Sequence, residues 1–308
     1  MRASTTTALL ALLLLVPACE VGGASDPSAD DTVGDADGGG TAPDAGPGAP
    51  DAAPDPGDGV TWFTWPAQQP ALGEAAWGAQ LTDIARHLPA SYGTQYWDDD
   101  PATAGHETSH GIHAHLRNYE YDGAGRANAF YVLDDRAAFV REPGIRKADV
   151  AAAVPASLRG PRYDLYLAGQ VAWDDTPLYV FDEWNAYVNG AAVAVGLEAD
   201  GLWTRGWRDA VMGPLEFTVY AIATVKAVAD GDPAYFAADT QLRAFTAWNI
   251  RRAMALFEQG RAMADFAWQT QDDYAAALRT GTGAGVEALR QFARDTWGPT
   301  WCAEVLGF

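Results

Sequence analysis

The sequence is poor in cysteine, in positive charge and in long hydrophobic runs. Two cysteines in 308 residues are too few for a disulfide framework or a four-thiolate metal site. Lys and Arg number 20 against 41 Asp and Glu, a net charge of −21. That balance argues against nucleic acid as a partner, because phosphate recognition needs a basic face. The apolar run from Ala8 to Val16 has nine residues, fewer than half of the roughly 20 that span a bilayer as a helix. No unit of 20–50 residues recurs, which excludes a repeat array. Histidine is scarce as well, but its five copies are not scattered evenly.

What is present falls into three parts. Arg2 followed by Ala8–Val16 fits the charged and apolar regions of an export signal. The run closes in Val16-Pro17-Ala18-Cys19, which resembles a bacterial lipobox. The resemblance implies that residues 1–19 are a lipoprotein signal peptide and that Cys19 carries the lipid. It also implies an exported lipoprotein held on a membrane. Glu20 follows Cys19, rather than the Asp associated with inner-membrane retention, so the expected location is the outer membrane or cell surface. Only Cys302 then remains as a thiol, and no intramolecular disulfide can form. Residues 20–59 hold ten acidic side chains, ten glycines and six prolines, with no Lys, Arg or aromatic residue. Such a composition buries too little apolar surface to offset ordering entropy, so a disordered, extended tether is expected. It carries −10 of the charge and Arg2 in residues 1–19 carries +1, leaving an ordinary −12 for residues 60–308.

The remaining 249 residues are long enough to bury a sizeable core, and all twelve tryptophans lie in them. Ala75, Leu81, Ile84, Ala85 and Leu88 recur at helical spacing over 74–88. Asp100-Pro101 is a helix start, an N-cap acceptor followed by proline in the first turn, and predicts a helix to about Tyr119. The apolar stretches Ala129–Leu133 and Arg136–Val140 flank Asp134-Asp135 and read as a β-hairpin. Thr176-Pro177 repeats the helix-start signal and Asn189-Gly190 reads as the stop. Ala-rich amphipathic segments at 214–229, 233–258, 260–279 and 284–297 follow. The expected fold is α+β and predominantly helical, with a minor hairpin or small sheet and a helical C-terminal part.

Four of the five histidines fall within ten residues, and His106-Glu107-Thr108-Ser109-His110 is an HExxH motif. On a helix, positions i and i+4 share a face, so His106 and His110 can offer both imidazoles to one ion. Glu107 is turned about 100° away, beside the open position, where a carboxylate can take a proton from water that zinc has acidified. His113 lies on the same face, about 10 Å from His106 along the axis, too far for one ion to use both. It is a candidate for contact with substrate or for support behind the ligands, or simply a capped histidine. His115 points to the opposite face and reads as structural. His87 carries no predicted function.

A catalytic zinc usually has three protein ligands. No histidine follows position 115, so the third ligand is a carboxylate, and Tyr179–Tyr187 offers Asp182 and Glu183. HExxH with a glutamate on a second helix resembles the gluzincin metallopeptidases. Phe181-Asp182-Glu183-Trp184 is similar to the ligand helix of anthrax-lethal-factor-like zincin domains. This resemblance implies His106, His110 and Glu183 as zinc ligands, with Asp182 as runner-up, and Glu107 as general base. Enzymes of this type often stabilise the oxyanion with a Tyr or His. Tyr179, Tyr187, Tyr166 and His113 are candidates, and the resemblance to lethal-factor-like domains, which place their Tyr before the ligand Glu, favours Tyr179. The implied function is a lipid-tethered zinc peptidase acting on peptides or proteins. A noncatalytic surface domain and a cell-wall amidase are the alternatives.

Overall fold

The computed structural model describes residues 55–93 and 99–308. The expected signal peptide, Cys19 and the tether to residue 54 lie outside the described residues. Asp55–Gly59, grouped by composition with the tether, are part of the folded body. Asp55 forms an ion pair with Arg251, and Gly57 lies against the backbone of Trp248 so closely that a Cβ there would stand 3.0 Å from its Cα.

The chain runs β1 (Phe63–Thr64), α1 (Gly78–His87), α2 (Pro101–His115), β2 (Ala127–Tyr131), β3 (Arg136–Arg141), α3 (Lys147–Ala153), α4 (Tyr179–Ala199), α5 (Met212–Gly231), α6 (Pro233–Ala238), α7 (Gln241–Gly260), α8 (Gln269–Thr280), α9 (Ala284–Trp297) and α10 (Pro299–Val305). The fold is predominantly helical α+β, with a three-stranded antiparallel sheet in the order β1-β3-β2. Among the described residues, no helix is long and apolar enough to cross a membrane.

The β2–β3 hairpin pairs Ala127 with Arg141 through to Tyr131 with Ala137. Its turn passes through positive φ at Leu133, Asp134 and Asp135 (75°, 54° and 57°), a conformation that the short polar side chains of aspartate tolerate better than most. The third strand, β1, is only two residues long and was not anticipated. It pairs Phe63 with Ala137 and Thr64 with Arg136.

α2 starts as its sequence predicts: the Asp100 carboxylate accepts from the Thr103 amide at 2.9 Å, with Pro101 in the first turn. Beyond His115 the chain widens into a π-helical turn, Leu116–Glu120. α4 is buried along most of its length and touches α1, α2, α5, α7 and β2. Its N-terminus is not capped by the Thr176 side chain. Instead Glu142, at the end of β3, accepts from the Leu178 amide at 3.3 Å and from Asn128 at 2.5 Å. Burial pushes the Glu142 carboxyl up to about 7.

Asn189-Gly190 is not a helix stop, since α4 continues to Ala199. Gly190 is where α4 meets α2. A Cβ at this position would stand 2.7 Å from the Ala102 carbonyl oxygen and 3.4 Å from the His106 Cβ. Gly105 of α2 reciprocates, with a Cβ meeting Val193 Cγ2 at 2.8 Å. The helix penalty of a mid-helix glycine, about 1 kcal/mol, is outweighed by the packing that close approach allows. The Asn189 side chain ends no helix. It donates to Ser109 Oγ at 2.8 Å and to the Tyr131 carbonyl at 3.0 Å, and accepts from Arg252 at 2.6 Å.

In the C-terminal part, the expected 233–258 helix is divided into α6 and α7 because the Asp239 carboxylate accepts from the Gln241 amide at 3.0 Å and restarts the helix there. The expected 260–279 helix begins only at Gln269, since Phe266 in the preceding turn is drawn into the core against Trp203 at 5.1 Å. The expected segments 214–229 and 284–297 are α5 and α9.

Replacing Gly190 with alanine therefore forces α4 away from the α2 backbone, where no side chain can yield. Chemical denaturation of the Gly190→Ala chain is expected to show a loss of about 1–3 kcal/mol. Wild-type stability in that variant would contradict the packing described.

Candidate metal centre

α2 carries His106, His110 and His113, and the π-helical turn that follows it adds Arg117, at spacings of four, three and four. α4 turns Asp182 and Glu183 toward these side chains. His106 Nε2 and His110 Nε2 face each other at 3.1 Å, and Glu183 Oε2 lies 3.6 Å and 3.5 Å from them. Three ligands about 2.1 Å from a tetrahedral ion would be separated by about 3.4 Å, so the observed triangle has the size that such an ion requires.

Two further observations fit a cation. Glu183 is buried, and its Oε2 has no hydrogen-bond partner, a costly state for a carboxylate oxygen unless something else satisfies it. The other oxygen, Oε1, accepts from the Tyr179 hydroxyl. His110 Nδ1–H donates to Asp182 Oδ1 at 2.7 Å, which frees His110 Nε2 to present a lone pair toward His106. Two imidazole lone pairs converge favourably only on a proton or a metal. His106, His110 and Glu183 thus form a group that could hold a metal ion.

The charges are balanced locally. Burial alone would raise the Glu183 carboxyl, yet the His110 and His106 imidazoles hold it at about 2. Burial alone would lower His110, yet the Glu183 and Asp182 carboxylates beside it push it well above its ordinary range. Asp182 is buried too, and the imidazoles of His113 and His110 keep it well below the usual carboxylate range.

His110, His113 and Asp182 form a second geometric group, but their hydrogen bonds argue against a second ion. Arg117 donates to Asp182 Oδ2 at 2.6 Å. His113 Nε2 accepts from Asn185 Nδ2 at 3.0 Å, so its proton sits on Nδ1, which donates to Asp182 at 2.7 Å. Burial lowers the His113 pKa and favours this neutral form. Asp182 therefore stands behind His110, and Glu183 faces the His106 and His110 Nε2 atoms.

Glu107 lies at the edge of the centre, its Oε1 4.0 Å from His106 Nε2, with its side chain 37% exposed. It is the most open carboxylate of the group. Tyr179 does not point to open space: its hydroxyl is on Glu183 and its ring stacks on Trp173 at 4.3 Å. Tyr187 sets its ring edge-on to His106 at 4.5 Å and meets the Tyr166 hydroxyl at 3.1 Å. The Arg162 guanidinium lies 4.9 Å from the Tyr187 ring centre. Burial, and then the Glu183 charge, raise the pKa of Tyr166 and of Tyr179 far above the ordinary phenol value, so both remain donors. His115 sits apart among Trp65, Tyr92 and Tyr119. His87 bonds the Asp83 carbonyl at 2.7 Å and the Asp135 carboxylate at 2.6 Å.

Arg117, Asn185 and Arg162 were not singled out from sequence. Arg117 continues the 106–110–113 stripe and could have been found by extending it one turn. Asn185 and Arg162 act through tertiary contacts that no local pattern announces. No protein-family model, curated protein or solved structure matches this chain, so the arrangement stands on its own geometry.

The carboxylates that raise the His110 pKa make a proton the competitor of a metal at His110 Nε2. Because that pKa is raised, uptake at pH 7 is expected to release about one proton and affinity to climb about tenfold per pH unit until His110 deprotonates on its own. Calorimetry of metal binding in buffers of different ionisation enthalpy measures the release. Binding heats independent of buffer would contradict it.

Proposed function

We propose that the chain is a zinc-dependent peptidase in which His106, His110 and Glu183 hold the ion and Glu107 is the general base. The observation that carries this reading is the convergence of two imidazole nitrogens and one orphaned carboxylate oxygen on a single point, with a partly exposed glutamate beside it. An intact Glu107 favours hydrolysis, because pure metal binding has no use for it. Two imidazoles and a carboxylate are a donor set that suits zinc.

Bound zinc would supply Lewis acidity, bringing the pKa of a water down to about 7. The protein supplies the proton handling. In the proposed reaction, Glu107 takes the water's proton at its carboxylate as the oxygen attacks the peptide carbonyl carbon. It returns that proton to the amine nitrogen as the carbon–nitrogen bond breaks. Asp182 orients His110, and Tyr179 holds the second oxygen of Glu183. On this reading Tyr179 serves the ligand rather than the substrate, and the Tyr166–Tyr187 hydroxyl pair, with the Tyr187 ring beside His106, is the remaining phenolic candidate.

The helix bearing HExxH, the glutamate on a second helix and the small antiparallel sheet together support a zincin-like, gluzincin-type arrangement. With Cys19 read as a lipid attachment site and residues 20–54 as a tether, the enzyme would be exported and anchored to a membrane by its N-terminal lipid. Its substrates would then be peptides or proteins at the outer membrane or cell surface.

The test combines metal analysis of the purified chain with cleavage of a peptide library. Glu107→Gln is expected to retain stoichiometric zinc and to lose about 10²–10⁴-fold in kcat/KM. Glu183→Gln should weaken zinc binding itself. Stoichiometric zinc without any Glu107-dependent cleavage would reduce the protein to a metal-binding domain.

A further inference from the structure

His113 is the histidine that the metal reading leaves over. It is fully buried, one turn beyond His110. It cannot turn to the ion because both its nitrogens are engaged, Nδ1 with Asp182 Oδ1 at 2.7 Å and Nε2 with Asn185 Nδ2 at 3.0 Å. The Asn185 amide also donates to the Tyr131 carbonyl at 2.6 Å, so its NH₂ end is fixed by the backbone of β2 and cannot be exchanged for its oxygen. The proton on His113 Nδ1 is thus dictated by the sheet.

The consequence falls on Asp182. One of its oxygens receives two imidazole N–H groups, from His110 and His113, and the other receives Arg117 at 2.6 Å. Asp182 is adjacent in sequence to Glu183, is a carboxylate, and already lies within hydrogen-bond reach of a ligand histidine. Released from its ties, it could rotate and compete for the ion, and His110 would lose the acceptor that fixes its tautomer.

On the reading that His106, His110 and Glu183 hold a metal, we propose that His113 and Arg117 are positioning residues. They lock Asp182 behind His110, keep it out of the coordination sphere, and so set the affinity and geometry of the centre. The HExxH motif of this chain would then be one part of a longer stripe, His106-Glu107-x-x-His110-x-x-His113-x-x-x-Arg117, read against Asp182-Glu183-x-Asn185 on the partner helix.

The experiment uses the full chain and three variants: His113→Leu, His113→Asn and Arg117→Gln. Zinc affinity is measured by chelator competition, the visible spectrum is recorded with cobalt(II) substituted, and the metal-free melting temperature is taken separately. His113→Leu is expected to bind zinc about 10–100-fold more weakly and to shift the cobalt bands. His113→Asn, which keeps an N–H at the position of Nδ1, should recover most of both. Arg117 is partly exposed and tolerates replacement more readily, so Arg117→Gln provides the same test if His113→Leu fails to fold. It should weaken zinc severalfold and alter the cobalt spectrum.

Wild-type affinity and an unchanged cobalt spectrum in His113→Leu, or in Arg117→Gln if the former does not fold, would overturn the proposal even if the melting temperature fell. That pattern belongs to packing alone. A wild-type chain that binds neither zinc nor cobalt would overturn the metal reading itself, and the proposal with it.

Discussion

The closeness of α2 to α4 is the constraint on which the rest of the centre depends. At Gly190 the α4 backbone comes so near α2 that a single methyl group would stand 2.7 Å from the Ala102 carbonyl oxygen. Gly105 permits the reciprocal approach. A larger residue at Gly190 would press on the α2 backbone and draw His106 and His110 away from Glu183, which they face at 3.5–3.6 Å. Helix pairs usually stand 8–10 Å apart, at a distance set by the side chains between them. Here the glycines lie beside the candidate ligands, His106 contributing its own Cβ to the wall that Gly190 meets.

Closeness has an electrostatic consequence. The two helices bring two buried carboxylates against three histidines, and unpaired charge there would be destabilising. Asp182 is met by Arg117 and two imidazoles, and Glu183 by Tyr179 on one oxygen, while its other oxygen faces the His106 and His110 nitrogens without a hydrogen bond. That oxygen, Glu183 Oε2, forms with the two imidazole nitrogens a group that could hold a metal ion. The same packing explains why Asp182 and Glu183, though adjacent in sequence, have different roles. A step of about 100° along a helix turns one toward the His106 and His110 Nε2 atoms and the other toward the far side of His110.

Much of this was legible where the determining contacts are local. Asp100-Pro101 announces α2 because capping is a matter of three or four residues. The hairpin announces itself through two apolar runs and a pair of turn-forming aspartates. HExxH is readable because i and i+4 meet on any helix. Glu183 entered by resemblance to a family's ligand helix, since nothing within the chain's own spacing singles out a residue 73 positions after His110. Gly190 was misread for an instructive reason. A glycine after an asparagine is a good helix terminator when solvent surrounds it, and at this position a neighbouring helix does instead. The break within 233–258, the cap that Glu142 lends to α4, and the Asn185 amide that fixes His113 are all long-range, and they are the features that local periodicity did not reveal.

The central claim is that α2 and α4 together present two imidazole nitrogens and one carboxylate oxygen to a single ion. X-ray absorption at the zinc edge of the zinc-loaded chain tests it most directly. The account predicts one zinc per chain, with about four nitrogen or oxygen neighbours at about 2.0–2.2 Å, two of them showing the outer-shell scattering of imidazole rings, and no sulfur. A shell without imidazole, a shell containing sulfur, or a chain that retains no stoichiometric zinc would contradict it.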